Sequence, residues 1–176
     1  MSVTEKPEER VTMIPPYGGT LIDRTISDSE LAERIGETKG MSIVLSQEDR
    51  INLTNLAIGS YSPLEGFMTQ GDYDSVLNDI RLADGTVWPL PVVLSIKGDV
   101  PVPEVGTEAA LAGPDGEILG IIEISDVWQP DKKAELLACY SGSNAEADEE
   151  HPAWGWLNSV GDTYIGGRIT VARLPE

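Results

Sequence analysis

The ten-residue segment GSYSPLEGFM, at Gly59–Met68, constrains the fold of this chain more than any other stretch. Its two glycines can adopt backbone angles that other residues avoid, whereas Pro63 fixes its own φ and favours an extended Ser62. Apolar side chains that can hold the loop against the rest of the protein come from Tyr61, Leu64, Phe67 and Met68. We interpret the segment as a structural corner that folds back onto the core, with a binding or interface surface as the alternative.

The chain is strongly acidic. It carries 30 Asp and Glu residues against 12 Lys and Arg, which gives a formal net charge of -18. Such a charge opposes nucleic-acid binding, in which cations neutralise phosphates, and it opposes docking on anionic membranes. The N-terminus lacks the apolar core of a signal peptide, and no apolar run has the length of a membrane span. We therefore expect a cytoplasmic protein that binds neither nucleic acid nor membranes.

The periodicity of apolar residues predicts one domain with helices early and strands late. We expect a flexible N-terminal segment over residues 1–12 and a domain over residues 13–176. Predicted helices cover residues 27–36, 46–59, 71–82 and 130–142. Predicted strands cover residues 42–45, 86–96, 107–113, 117–128 and 162–174, the last with a bulge or bend at two adjacent glycines. Pro89 and Pro91 restrict the second of these strands to a sheet edge or to an irregular start. This order is typical of an α+β fold in which helices surround a curled sheet or small barrel.

The sequence contains no recognisable catalytic constellation. Its one histidine, His151, stands in an acidic loop, and its one cysteine, Cys139, has an apolar helical context that favours a buried, inert thiol. One histidine and one cysteine do not make a zinc site. Gly161 and Gly166 have part of the spacing of a phosphate-binding loop but lack its Lys and Ser or Thr. We expect no catalytic residue, no cofactor and no bound metal.

Trp154 and Trp156 flank Gly155, so that one of the two rings is expected to face the core and the other solvent. Core anchoring is the favoured interpretation, and a partner surface is the alternative. The candidate interface then combines both tryptophans with the corner segment: Tyr61, Ser62, Pro63, Leu64, Phe67, Met68, Trp154 and Trp156.

Several longer motifs resemble one family. They are PPYGGTL at 15–21, GSYSPLEGFM at 59–68, DGTVWPLPVVLSI at 84–96, GEILGIIEISDVWQPDKKAE at 116–135, HP at 151–152 and GDTYIGGRI at 161–169. Together they resemble the N-terminal domain of ATP sulfurylase (sulfate adenylyltransferase) from about residue 13 to residue 174. The resemblance implies a PUA-like fold, a small β pseudo-barrel with surrounding helices.

The chain also departs from the family pattern. In the family, ATP and sulfate bind a second, catalytic domain marked by Gln-x-Arg-Asn-Pro, His-x-x-His and Gly-Arg-Asp segments. This sequence has none of them. Its single histidine cannot form a His-x-x-His pair, and its one Gly-Arg pair, Gly167-Arg168, is followed by Ile169. The acidic loop over residues 142–150 is longer than the family pattern leads us to expect.

No catalytic residue carries over from the family. The resemblance therefore implies a non-catalytic accessory or assembly role in sulfate activation, as a homodimer or with a separate catalytic sulfurylase chain. One alternative is a part of a split or truncated sulfate adenylyltransferase. Another is a PUA-like RNA-binding module, which the acidic charge disfavours.

Overall fold

The computed structural model describes residues 14–38, 40–142, 146 and 148–174, and the predicted flexible segment over residues 1–12 lies outside this range. In chain order the elements are α1 (Asp28–Arg34), a 3-10 turn (Ile35–Thr38), β1 (Ser42–Val44), α2 (Gln47–Ala57), β2 (Gly66–Phe67), α3 (Gln70–Asp79), β3 (Leu94–Ile96), β4 (Glu108–Ala112), β5 (Ile118–Trp128), α4 (Lys132–Tyr140), α5 (Pro152–Ser159) and β6 (Thr163–Val171).

Two helices begin at capping boxes, in which a serine side chain and an acidic side chain satisfy each other's backbone N–H groups. At α1 the Glu30 N–H donates to Ser27 Oγ, and the Ser27 N–H donates to the Glu30 carboxylate at 2.8 Å. Ser46 and Asp49 form the same pair at α2, with both bonds at 3.1 Å. The helix starts predicted at Ser27 and Ser46 are thereby confirmed.

The six strands form one sheet in the order β1-β4-β5-β6-β2, and β3 also pairs with β6. β1 and β4 run parallel, whereas all the other pairs are antiparallel. β6 is hydrogen-bonded on both sides, to β5 along one side and to β2 and β3 along the other. Side chains from β1, β3, β4, β5 and β6 meet in one buried core. The predicted α+β architecture, a curled sheet with helices around it, is therefore confirmed.

Two glycines in β6 allow neighbouring backbone to approach closely on both sides. A Cβ atom on Gly166 would lie 2.2 Å from Met68 O, and one on Gly167 would lie 2.0 Å from Glu123 O. The register of β5 against β6 shifts between Ile124 and Asp126, directly opposite these glycines. The irregularity predicted at the glycine pair thus lies at this position, but the extra residue belongs to β5.

Two sequence predictions need correction. The strand predicted over residues 86–96 is shorter than expected and covers Leu94–Ile96. The irregular start expected at Pro89 and Pro91 is present, because these residues have no backbone N–H to donate to a sheet. The segment after the acidic loop, for which no helix is predicted, forms α5. Its signals are His151 at the N-cap, whose Nδ1 accepts from the Ala153 N–H, and a proline at the first helical position.

We expect Gly167→Ala to lower the free energy of unfolding by about 1–3 kcal/mol or to prevent folding, because the added methyl group meets backbone atoms on an adjacent strand. Gly155→Ala, in α5, is the matched control, since a Cβ atom added there would meet no other part of the protein within 4 Å. It should leave stability unchanged or raise it by up to about 1 kcal/mol. Urea denaturation followed by circular dichroism measures both, and equal effects of the two substitutions would contradict the close packing described around β6.

Candidate functional site

The corner segment packs largely inside the protein. Ser62, Leu64, Phe67 and Met68 are all buried. The Ser62 side chain makes two hydrogen bonds: its Oγ accepts from the Ile22 N–H at 2.9 Å and donates to Gly59 O at 2.7 Å. The expectation that these four residues offer exposed contact surface is therefore wrong: their side chains fill the domain's own core, as the structural-corner interpretation requires.

A cluster that we call the aromatic corner packs at the outer side of this segment: Tyr17, Tyr61, Pro63 and Trp88. Tyr17 is exposed, Tyr61 and Pro63 are half-buried, and Trp88 is buried. The Tyr61 and Trp88 ring centres lie 5.9 Å apart at 88°, and Tyr17 lies 6.3 Å from Trp88. The Tyr17 hydroxyl donates to Val87 O at 2.6 Å, although Tyr17 is 53 % exposed. Tyr61 and Pro63 stay predicted interface residues. Exposed Tyr17 and the buried Trp88 beneath it were missed because the chain brings them in from distant segments.

The two tryptophans of the candidate interface lie on α5, and neither is the core anchor that the alternation suggested. Trp154 is half-buried, with Lys133 Nζ 5.9 Å from its ring centre, and Trp156 is 38 % exposed. Leu157 is the residue of this helix that is fully buried. Residues two positions apart on a helix point about 200° apart, so the two rings still leave the helix on different sides.

A groove of about 680 Å³ lies between the two opposite edges of the sheet. Residues 42–46, at β1, form one wall, and residues 95–97, at β3, form the other. Trp156 of α5 lines the same space, and Val44 of β1 stands 66 % exposed beside it. We call this space the seam groove, because it marks the line along which the curled sheet is not closed by strand pairing within the described residues.

A buried carboxylate lies at the seam groove. Glu135 is 2 % exposed, and its Oε2 accepts hydrogen bonds from Tyr73 at 2.9 Å and Tyr164 at 3.1 Å. Burial raises the pKa of Glu135, while the two hydroxyl donors act in the opposite direction. This residue was not predicted, although an acidic side chain directly before the apolar run Leu136-Leu137 was a usable signal.

The surroundings of Glu135 also shift the titration of the nearby Cys139 thiol. Burial, followed by the nearby Glu135 charge, raises the pKa of the Cys139 thiol to about 11. The thiol is therefore protonated near neutral pH, which removes the thiolate needed for nucleophilic or metal chemistry. Cys139 is half-buried, so the inert thiol expected from the sequence is supported by protonation more than by complete burial.

Many basic side chains are paired with carboxylates. Arg34 contacts both Glu108 and Glu123, and Arg168 Nε lies 3.4 Å from Glu123 on the neighbouring strand. The described basic residues that form ion pairs include Arg24, Arg34, Lys132, Lys133, Arg168 and Arg173. Such pairing does not supply the contiguous cationic face that a nucleic-acid interface requires. The described residues also contain no group of three or more His, Cys, Asp or Glu that could hold a metal ion.

We expect Glu135→Gln to become increasingly more stable than the natural protein as pH rises. The folded state holds the Glu135 proton more tightly than the unfolded chain, so its stabilising contribution is present below the ordinary carboxyl pKa of 4.5 and is lost as pH rises through the higher folded value. Glutamine accepts the same tyrosine hydrogen bonds without ionising.

Urea denaturation from about pH 4 to about pH 8 tests this prediction, because the stability difference between the two proteins should grow across that window. Glu104→Gln, at an exposed loop carboxylate, is the control. A stability difference for Glu135→Gln that is constant with pH, or that shrinks as pH rises, would contradict a raised pKa.

Comparison with known proteins connects this fold to a family. The model of the PUA-like domain family matches residues 14–174. The chain is 35 % identical over 160 residues to a sulfate adenylyltransferase of Synechococcus sp., covering 90 % of this chain and 40 % of that protein. It is 34 % identical over 165 residues to a probable bifunctional SAT/APS kinase 2 of Sorangium cellulosum, covering 93 % of this chain and 28 % of the relative.

A solved structure shows the same similarity in three dimensions. A hexameric APS kinase from Thiobacillus denitrificans superposes with a TM-score of 0.68 at 26 % sequence identity, over 93 % of this chain and 28 % of that one. The chain thus spans less than half the length of each of these relatives.

None of the helices in the described part of the chain has the length and apolar character of a membrane span.

The sequence motifs, the curled six-stranded sheet and the matched residues agree with one another, and they confirm the resemblance to the N-terminal domain of ATP sulfurylases. The chain belongs to the PUA-like domain family.

Proposed function

We propose that this protein acts as a non-catalytic accessory domain in sulfate activation, the conversion of ATP and sulfate to adenylyl sulfate and pyrophosphate. The observation that carries the proposal is the similarity of nearly the whole chain to a part of sulfate adenylyltransferases, 27–41 % of their length. Its role is to support and position a catalytic sulfurylase domain, which is either carried on a separate polypeptide or joined to it in a longer protein.

The chemistry of the described side chains supports a role without catalysis. Adenylyl transfer needs cationic groups that grip the triphosphate and stabilise charge in the transition state. Here two arginines, Arg34 of α1 and Arg168 of β6, are both engaged by the Glu123 carboxylate of β5. The one histidine caps α5 through its Nδ1 and packs on Tyr140.

The aromatic corner is the surface that we assign to the catalytic partner. Tyrosine and tryptophan are enriched at the energetic centres of interfaces, where a large apolar ring is combined with a polar atom. Tyr17 presents such a ring on the outside of the corner, and exposed apolar side chains at Ile14 and Leu21 flank it in the chain. Buried side chains such as Leu64 and Phe67 support the cluster from below, so the surface is preorganised for contact.

The purified chain alone should not release pyrophosphate from ATP, sulfate and magnesium above the rate of a protein-free control. The physical reason is that the described residues bring no cluster of cationic and imidazole groups to one site. A coupled pyrophosphate assay measures the rate, with an intact sulfate adenylyltransferase as the positive control. Sulfate-dependent turnover by the isolated chain would contradict the non-catalytic role.

Tyr17→Ala should weaken association with a catalytic sulfurylase domain by about tenfold or more, as expected for an aromatic residue at the centre of an interface. Calorimetric titration with the catalytic segment of the related Synechococcus enzyme, prepared without its own PUA-like domain, measures the affinity. Ile51→Ala is the matched control, because Ile51 is also 53 % exposed but lies on α2. The assignment of this surface fails if both substitutions weaken binding equally, and the accessory role fails if the natural chain does not bind at all.

Self-association is the second form that an assembly role can take. Exposed apolar residues favour contact between copies as well as contact with a different chain. Sedimentation of the isolated protein over a range of concentrations separates these possibilities, because only a homodimer gives a sedimentation coefficient that rises with concentration in the absence of a partner.

A further inference from the structure

We propose that the seam groove binds an extended, positively charged peptide segment, which adds a strand to the free edge of β1. The geometry and charge of the groove carry this proposal, which does not depend on the role in sulfate activation. The segment is identified by its chemistry: an extended backbone with alternating apolar and basic side chains.

The backbone of β1 carries hydrogen-bonding groups that β4 does not use. The Leu45 N–H donates to Ala112 O, and Met41 O accepts from the Ala110 N–H, both at 2.9 Å. In a parallel ladder, successive residues point their backbone groups to opposite sides, so those of Ser42 and Val44 point away from β4. Within the described residues β1 pairs with β4 alone. An edge of this kind is the element to which an extended peptide adds.

Apart from the shortness of β1, which has three residues, the edge lacks the usual devices that prevent strand addition. Natural sheet edges are protected by lysine, proline, bulges or a covering element. The sequence of β1 is Ser-Ile-Val. Its exposed Val44 occupies a position at which a charged residue would protect the edge. Its register with β4 is regular over all three residues. The strand is therefore competent to accept a partner.

The strands on the two sides of the groove set the length over which a bound segment can pair. β1 and β3, on its two sides, each contain three residues. At about 3.3 Å per residue that length is about 10 Å, so roughly three residues of a bound segment can pair with β1 while its ends extend beyond the strand. The volume of about 680 Å³ is in the range of ordinary ligand sites. An added strand beside β1 would face β3 across the groove and narrow the open seam of the sheet.

The walls of the groove select a cationic occupant. Glu48 and Asp99 are exposed at the groove, and among the described residues Lys97 is the single basic one that lines it. Trp156 and Val160 supply apolar surface on the side of α5. Because side chains alternate along a strand, one set of a bound segment can contact this apolar wall while the other set reaches the carboxylates.

An anion is not favoured at this place, although α2 begins here. Ser46 and Asp49 satisfy each other's backbone N–H groups, and the Glu48 and Asp49 carboxylates already occupy the first turn. The positive end of the helix dipole is thereby compensated. A second copy of the chain is also disfavoured as occupant, because it would bring the same acidic rim toward this one.

The probe is a fluorescein-labelled peptide of alternating lysine and valine, Lys-Val-Lys-Val-Lys with blocked ends, titrated with the intact protein and followed by fluorescence anisotropy. We expect saturable binding that weakens at least tenfold when the valine backbone nitrogens are methylated, because methylation removes the donors of strand addition. The Glu-Val-Glu-Val-Glu peptide should not bind. Equal binding of the acidic and basic peptides, or no saturable binding of the basic one, overturns the proposal.

Two matched substitutions locate the site. Val44→Lys places a positive charge on the free edge and should weaken binding of the lysine peptide at least tenfold. Val105→Lys is the control, since Val105 is 61 % exposed against 66 % for Val44 and does not line the groove. Equal losses in both variants would show non-specific attraction to an acidic protein and would overturn the site.

A third substitution keeps the test decisive if Val44→Lys does not fold. Lys97→Glu removes the basic side chain that lines the groove and should tighten binding of the lysine peptide several-fold. Unchanged or weaker binding would contradict the charge argument. Sedimentation of the natural protein completes the test: a dimer that Val44→Lys abolishes would assign the edge to a second copy and overturn the peptide proposal.

Discussion

The structure depends on the close backbone packing around β6. This strand is hydrogen-bonded on both sides, and at Gly166 and Gly167 the carbonyl groups of Met68 and Glu123 occupy the space where side chains would stand. The end of the corner segment can lie against β6 because Gly166 has no Cβ atom, whereas the missing Cβ atom of Gly167 makes room for β5. The same contact holds β2 at the edge and places Phe67 and Met68 in the core. The absence of a side chain at Gly166 thus makes room for the end of a segment that is distant in sequence.

Local signals in the sequence were sufficient to predict most of the helices and strands. Ser27 and Ser46 predicted the helix starts because a capping box is satisfied by residues three positions apart. The prolines at positions 89 and 91 limit the length of β3, so the hydrogen-bonded strand is shorter than the apolar run in the sequence. The helix α5 was missed because the alternation of Trp154 and Trp156 suggests a strand as readily as a helix over so short a distance.

The candidate site was less predictable, because its members come together only in the folded chain. Tyr17 reaches Trp88 across 71 positions of sequence, and Glu135 meets Tyr73 across 62, so no local spacing reveals either pair. The burial of Leu64 likewise follows from the packing around the corner and not from its neighbours in sequence. The seam groove is a property of sheet closure, which depends on which strands remain unpaired at the two edges.

The electrostatics of the chain join these observations to function. An acidic chain of net charge -18 uses its arginines to hold carboxylates on neighbouring strands, as where Arg34 bridges Glu108 and Glu123. The surfaces that we assign to contact with other molecules are apolar at the aromatic corner and acidic with an apolar wall at the seam groove. Both suit protein segments better than a nucleotide, whose phosphates need cations. We therefore propose a PUA-like domain that contacts other proteins and does not itself hold the reactants of sulfate activation.

The decisive experiment is calorimetric titration of the isolated chain with magnesium ATP and, separately, with adenylyl sulfate. We expect no saturable heat for either ligand up to millimolar concentration, whereas saturable binding of either at micromolar concentration, to one site per chain, would refute the proposal.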